Sequence, residues 1–299
     1  MKTTKLPLLI VFLIAPLTSL NAATPDFSKI TSRADLDAVI AATTDTGLKK
    51  ALTDHAADIV AAAERHPHVL AVIRTIESAP GTFTKVNTTP DALKKVTGND
   101  LAIFDTLTLI STSIVNGKAH AYRGANEDPY DAAFIEHLGH IPTLESIKIV
   151  ATKIDDAWLP PLLKLKNLKS LSMEGTARGL PGVPALGDPS LARLQALTQC
   201  PGLTSLELAY FGKATDAGLE QLAGLKNLES FTFRGSPIRG HAFAKFEGWT
   251  KLKRINFHSN NLDDEGLGYV CENFPNLEFI KLWHSKLITD ASAEHFKKL

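Results

Sequence analysis

Between Leu144 and Leu282 one apolar pattern, L-x-x-[LIF]-x-[LIMF], occurs six times, and this repetition limits the possible folds more than any other feature. The copies are LESIKI from Leu144, LKSLSM from Leu168, LTSLEL from Leu203, LESFTF from Leu228, LKRINF from Leu252 and LEFIKL from Leu277. Their starts are 24, 35, 25, 24 and 25 residues apart. Each copy has the alternation of a short strand with one apolar face. A unit of this size cannot bury that face alone, so the copies must stack on one another into a solenoid with a continuous core. In such strands the leucine positions point inward and the residues between them line a concave surface.

The segments between strands also repeat. Asp156-Ala157-Trp158-Leu159, Asp216-Ala217-Gly218-Leu219 and Asp264-Glu265-Gly266-Leu267 each precede an apolar stretch, and Asp290-Ala291-Ser292-Ala293 is a weaker copy. An aspartate there is expected to cap a helix, with the following leucine packed inward. A seventh, degenerate repeat is expected ahead of the six, with Phe104, Leu107 and Leu109 matching Leu144, Ile147 and Ile149. Its offset of 40 residues implies an insertion over 115–129, and the spacing of 35 implies a second over 177–189.

The combination of TLESIKI, NLKSLSM, GLTSLEL and NLESFTF with TDAGLEQL and DDEGLGYV resembles the ribonuclease-inhibitor-like leucine-rich repeat proteins, in particular the exported bacterial type. The resemblance covers residues 101–299 and implies an α/β fold, a right-handed horseshoe of about seven repeats. The asparagine that usually follows the strand is replaced by Thr112, Thr152, Thr176, Ser236 and Ser285. Only Asn260 keeps it, and Phe211 departs altogether. Small hydroxyls can still bond the turning backbone.

Residues 24–100 read as a helical N-terminal cap for the solenoid. Ser32 with Asp35 resembles a capping box before Leu36, Val39 and Ile40. A second helix is expected after Asp45, with Leu48, Leu52, Ala56, Ile59 and Ala63 on one stripe and a stop at His66-Pro67. A third apolar set follows with Val69, Leu70, Ile73 and Ile76, and Thr89-Pro90 opens a short helix. Ahead of the cap, Lys2 and Lys5 precede an apolar run over 6–17 and then small residues to Ala23. That order is expected of a secretory signal over 1–23, giving a periplasmic or extracellular protein with no stable membrane insertion after cleavage.

Removing Lys2 and Lys5 leaves 30 basic residues against 32 acidic ones, which gives no electrostatic case for nucleic acid. Cys200 and Cys271 lie three repeats apart in return segments, roughly 15–30 Å by strand and helix spacings, too far for a disulfide. His66-Pro67-His68, near Asp54, His55 and Asp58, matches no defined metal motif and reads as a solvated helix end. Gly179-Leu180-Pro181-Gly182 lacks the lysine and hydroxyl of a phosphate loop. No cofactor or metal is implied, and the chain is expected to be non-enzymatic.

The expected work is protein recognition. Across the concave face the early strands carry small polar residues, and the later ones turn basic and aromatic. Arg234, His258 and Trp283 share one offset, beside Arg254, Phe279 and Lys281. Arginine and tryptophan are the residues most enriched at binding hot spots. The insertions offer loop contacts through His120, Tyr122, Arg123 and Arg178. The alternatives are an enzyme with a site between the cap and the 115–129 insertion, or an envelope adaptor binding carbohydrate.

Overall fold

The computed structural model describes residues 25–79, 81–112, 114–115, 118–119, 129–151, 154–175 and 186–299. The six repeat motifs all become strands of one parallel ladder: β5 (Ser146–Val150), β6 (Ser170–Glu174), β7 (Ser205–Ala209), β8 (Ser230–Arg234), β9 (Arg254–Asn256) and β10 (Phe279–Lys281). The register never slips: Ser146, Ser170, Ser205, Ser230, Arg254 and Phe279 stand opposite one another in turn. With a side-chain period of two, a one-residue slip would move every leucine out of the core, so the apolar pattern itself holds the register. β5 and β8 show the resulting alternation, buried at every second residue and half-buried between. One face of the sheet is therefore packed and the other open.

The packed face meets the return segments. These carry α6 (Leu159–Leu163), α7 (Asp188–Leu194), α8 (Asp216–Leu219) and α9 (Asp264–Asn273), with 3-10 turns at Gln195–Gln199, Glu220–Leu222 and His241–Lys245. Leu171, Leu206, Phe231 and Ile255 from the strands and Leu191, Leu219, Phe243 and Leu267 from the returns join one continuous apolar core. Toward the C-terminal repeats it becomes aromatic, with Phe231, Phe243, Phe246, Trp249, Phe257 and Phe274 all fully buried. The Trp249 indole donates to the Ala223 carbonyl at 2.8 Å, so its one polar group is satisfied inside. Cys200 and Cys271 are buried free thiols, and Cys200 Sγ donates to Leu165 O at 3.2 Å.

The motif aspartates do something other than capping. The caps are the residues before them: Asp155, Thr215, Asp263 and Thr289 accept from the backbone N–H of Ala157, Gly218, Gly266 and Ala291. The aspartate one position later reaches into the next repeat instead. Asp188 accepts from Thr215 N and Oγ1, both at 2.7 Å. Asp216 accepts from the N–H groups of Arg239 and Gly240 at 2.8 Å and Ala242 at 3.1 Å. Asp264 accepts from Thr289 N at 2.8 Å and Oγ1 at 2.6 Å, and from the Ser292 hydroxyl. Asp156 likewise takes the Ser190 hydroxyl. A carboxylate that satisfies orphan amides of the neighbouring turn links unit to unit, whereas a cap serves only its own helix.

The motif glycine follows from the same packing. A Cβ on Gly218 would overlap the Asp188 carboxylate, and one on Gly266 would overlap the Arg239 carbonyl oxygen. A hydroxyl takes over the asparagine role at Ser236, whereas the buried Ser285 hydroxyl has no hydrogen-bond partner among the described residues. Phe211 N donates to Ser236 Oγ at 3.2 Å and Ser236 N to Asn260 Oδ1 at 2.9 Å, while Thr112 stands in the column of Ile149 instead and accepts from Val150 N of the following repeat at 2.7 Å. Thr152 and Thr176 lie outside the described residues.

The first repeat differs from its expected register. β2 (Asp105–Ser111) pairs with β5 so that Leu109 faces Ser146 and Ile110 faces Ile147. Leu109 therefore points to the open face and Ile110 into the core. The cause is β1 (Thr82–Asn87), an antiparallel strand that the helical reading did not include. Thr84 pairs with Leu109 and Lys85 with Leu107, leaving Thr108 without a counterpart. A bulge of this kind reverses the alternation, so Leu107 and Ile110, three apart, both go inward. β3 (Ile114–Val115) and β4 (Lys118–Ala119) then pair antiparallel across the start of the insertion expected over 115–129.

The preceding segment contains α1 (Arg33–Ala42), α2 (Thr46–Asp54), α3 (Ala56–Glu77) and α4 (Asp91–Thr97). Ser32 caps α1 as expected, with Asp35 N donating to its hydroxyl at 3.2 Å. The single stripe expected from Leu48 to Ala63 is broken at His55 into α2 and α3, and α3 runs through Pro67 without ending. His66 and His68 are thus mid-helix and half-buried. A separate apolar cluster, including Leu36, Leu52, Ile59, Leu93 and Phe104, holds these helices together. Val69, Val72 and Ile76 of α3 join the main core, and α5 (Ala132–Gly139) packs against α3.

Gly266→Ala should destabilise the protein by about 1–3 kcal/mol in urea unfolding, because a backbone carbonyl cannot step aside cheaply. Gly212→Ala, where a Cβ meets nothing within 4 Å, should be neutral or slightly stabilising.

Candidate functional site

The open face is divided into two unlike regions by the way its charges are used. In the middle, Arg234 at the end of β8 lies across two strands and is only 16% exposed at its side chain. Its guanidinium meets Glu174 at 2.8 Å and Glu207 at 3.5 Å, and Nη1 donates to the Tyr210 hydroxyl at 3.0 Å. Burial opposes the charge, but the Glu174 hydrogen bond and field outweigh it, and the Arg234 pKa lies above the ordinary arginine value. Ser172 donates to Glu207 at 3.0 Å beneath this cluster. The network also accounts for two breaks in alternation, since it shields Ser172 and Ala209, which are buried on the open face. Arg234 is therefore a neutralised, structural cation.

Tyr210 reaches Arg234 through an unusual backbone. It holds φ +66°, and the equivalent positions of the next repeats, Gly235, Ser259 and His284, hold +66°, +60° and +63°. Four successive repeats thus turn through the left-handed region where the strand ends. Glycine takes that conformation freely, whereas tyrosine and histidine do so against their preference. In return the turn swings those side chains over the neighbouring strand. The Tyr210 ring lies across Gly235, where any Cβ would collide with it.

At the far end of the face the charges are free. Arg254 opens β9 with its guanidinium 4.5 Å from the Phe279 ring centroid, and Lys281 Nζ stands 5.9 Å from that of Trp283. Among the described residues neither cation has a carboxylate within ion-pair distance. His258 stacks on Trp283 at 5.1 Å and 15°, and His284 does so at 4.4 Å and 28°. Burial, with Lys281, Arg234 and His284 nearby, holds the His258 pKa below the ordinary imidazole value. Trp283 remains 62% exposed and Phe279 41%, whereas Trp158 and Trp249 are buried.

Arg254, His258, Phe279, Lys281 and Trp283 thus come together at this end, while Arg234 belongs to the middle cluster. His284 was missed in the sequence. The signal for it is its place in the series Tyr210, Gly235, Ser259, His284, one per repeat. His120, Tyr122, Arg123 and Arg178 lie outside the described residues.

A separate titratable cluster joins α3 to α5. His68 Nδ1 lies 2.8 Å from His137 Nδ1, and the His68 ring stacks on His140 at 4.0 Å and 12°. One of the two Nδ1 atoms must carry the proton and the other accept it, so protonating both rings sets N–H against N–H. Glu136 approaches His140 and Lys164, each at 3.3 Å. Burial, then the neighbouring His140 and His137, hold the His68 pKa below 6.5. Among the described residues no group of three metal-binding side chains has the geometry to hold a metal ion.

No family model and no curated protein matches the chain. Among solved structures, a chain of the Rad7–Elc1 complex of yeast is similar at 18% identity and TM-score 0.43, over 55% of this chain and 42% of that one. Internalin C2 of Listeria monocytogenes is similar at 16% identity and TM-score 0.36, over 68% and 85%. The internalin InlF of the same species gives 14% and 0.37, over 69% and 71%. The chain thus spans less than half the length of the first of these.

Removing the cation from the middle cluster should leave two carboxylates facing each other. Arg234→Ala should cost about 1–3 kcal/mol in chemical unfolding, and Glu174→Ala should cost less in that background than in the wild type. The His68 cluster sets an acid limit. The folded pKa of His68 is depressed, so the contribution of this residue is complete above about pH 6.5 and is lost as pH falls below that value, where the unfolded chain takes up the proton first. His68→Gln should flatten the fall of melting temperature between about pH 6.5 and 5.

Proposed function

We propose that the chain is a non-enzymatic recognition module whose open face binds a protein partner at its C-terminal end. The observation that carries this reading is the pairing of two uncompensated cations, Arg254 and Lys281, with the exposed rings of Phe279 and Trp283. Exposed aromatic area beside desolvatable charge is the composition of binding hot spots, and a charge left without an internal partner gains most from an external one. The partner surface that fits is acidic. On the same face Arg234 engages Glu174 and Glu207, so both glutamates have a partner other than Arg254 and Lys281.

In this reading the segment over 24–100 caps the first repeat, supported by β1 lying along β2 and by the α3 side chains entering the main core. Export, the ribonuclease-inhibitor-like type and the right-handed horseshoe belong to the same proposal. They rest on the residue order over 1–23, which lies outside the described residues, and on the repeat motifs. No described helix is long and apolar enough to cross a membrane.

Trp283 supplies its own reporter, because it is the exposed indole of the three. A partner isolated on the immobilised protein should shield the acrylamide-sensitive fraction of the fluorescence. The triple variant Arg254→Ala, Lys281→Ala, Trp283→Ala should fold normally and retain none of that partner. Capture by the triple variant at wild-type level would remove the open face from consideration.

A further inference from the structure

The two edges of the sheet are treated differently. At one edge β1 closes the ladder with exposed threonines, a Lys85–Asp105 ion pair at 2.9 Å and a register break between Thr84 and Lys85. Bulges, charges and polar side chains of this kind keep an edge from pairing further. At the other edge β10 has β9 as its sole strand partner among the described residues. Phe279 N donates to Lys253 O at 3.0 Å, Phe257 N to Lys281 O at 2.9 Å, and Ser259 N to Trp283 O at 2.8 Å. The backbone groups of 279, 281 and 283 thus face β9. By alternation those of Ile280, and the Leu282 N–H, point out along the open edge.

The side chains at this edge are also incomplete in burial. The positions equivalent to Ile280, namely Ile147, Leu171, Leu206, Phe231 and Ile255, are at most 1% exposed, whereas Ile280 is only half-buried. Leu282 stands in the same contrast to Ile149, Met173, Leu208, Phe233 and Phe257, and Leu287 beside it is exposed. On the open face the charge is uniformly positive and unpaired at Arg254 and Lys281, and the nearby Glu278 is held by Lys253 at 3.3 Å. Lys286 follows on the exposed turn.

We propose that the free edge of β10 takes up an extended, acidic segment of a partner protein as an added strand. The main chain of that segment would pair with Ile280 and Leu282, its inward residues would cover their side chains, and its outward carboxylates would meet Lys281 on β10, with Arg254 one strand further in adding to the positive field. Cross-strand neighbours lie about 5 Å apart, within reach of such ion pairs. A basic segment would face two like charges, and a purely apolar one would leave them unpaired. The proposal shares its location with the recognition reading but not its basis, since it depends on backbone pairing at the edge.

The probe is a capped ten-residue peptide alternating valine with glutamate, measured by calorimetry and by Trp283 fluorescence on the full chain. It is compared with a valine–lysine peptide, and with two forms N-methylated along one or the other edge of the strand. The valine–glutamate peptide should bind and the lysine one should not. N-methylation along one edge alone should abolish binding, and Lys281→Ala with Arg254→Ala should weaken it roughly tenfold or more and lessen its salt dependence. No binding at millimolar peptide, equal binding of the lysine peptide, or indifference to both N-methylations would overturn the proposal. So would concentration-dependent dimers in sedimentation that Leu282→Lys dissolves, since the occupant would then be a second copy. If N-methylation has no effect while Trp283 is still shielded, strand addition fails and face-on recognition stands.

Discussion

The register of the parallel ladder is the constraint on which everything else depends. Each of β5 to β10 is short, three to five residues, and alone would have no reason to form. Stacked in register, they bury alternate side chains against the returns, and all but β10 lend their backbones to two neighbours. The returns are tied in the same sense by Asp188, Asp216 and Asp264, whose carboxylates collect amides and hydroxyls from the following unit. Strand pairing on one side and carboxylate links on the other hold every repeat at two levels. This is the nearest-neighbour coupling that gives a repeat array its stability.

The same regularity turns exceptions into signals. Where every unit presents the same positions, a side chain that departs from its column stands out physically. Arg234 departs by gathering Glu174, Glu207 and Tyr210 into a closed network, so the charges in the middle of the open face meet one another. Arg254, Phe279, Lys281 and Trp283 depart by remaining open. The left-handed turns add to both, bringing Tyr210 onto Arg234 and His284 onto Trp283 at some conformational cost.

Much of this is written locally in the chain. The period-two motifs place six strands and divide inward from open-face residues, because burial of leucine is a strong and short-range preference. What the motifs leave out is anything decided between units. Asp216 looks like a cap in isolation, and only the neighbouring turn shows that Arg239, Gly240 and Ala242 claim it. Arg234 looks like a free cation until β6 and β7 bring Glu174 and Glu207 beneath it. The bulge at Thr108 depends on β1, whose strand-like Thr82-Phe83-Thr84-Lys85-Val86 lies outside the repeat motifs, and so the first repeat is misaligned by three residues when read alone. Pro67 is an ordinary helix stop by sequence, yet Val69, Val72 and Ile76 beyond it reach the main core and keep α3 continuous.

The central claim is a register-locked ladder that is guarded at β1 and open at β10. Amide hydrogen exchange read residue by residue tests it most directly. In β7, paired on both sides, successive amides should all be slow. In β10, Phe279 and Lys281 should be slow and Ile280 and Leu282 fast, an alternation with period two. Protection of Ile280 and Leu282 equal to that of the β7 amides in the isolated protein would contradict the account, because it would mean that the edge is already covered.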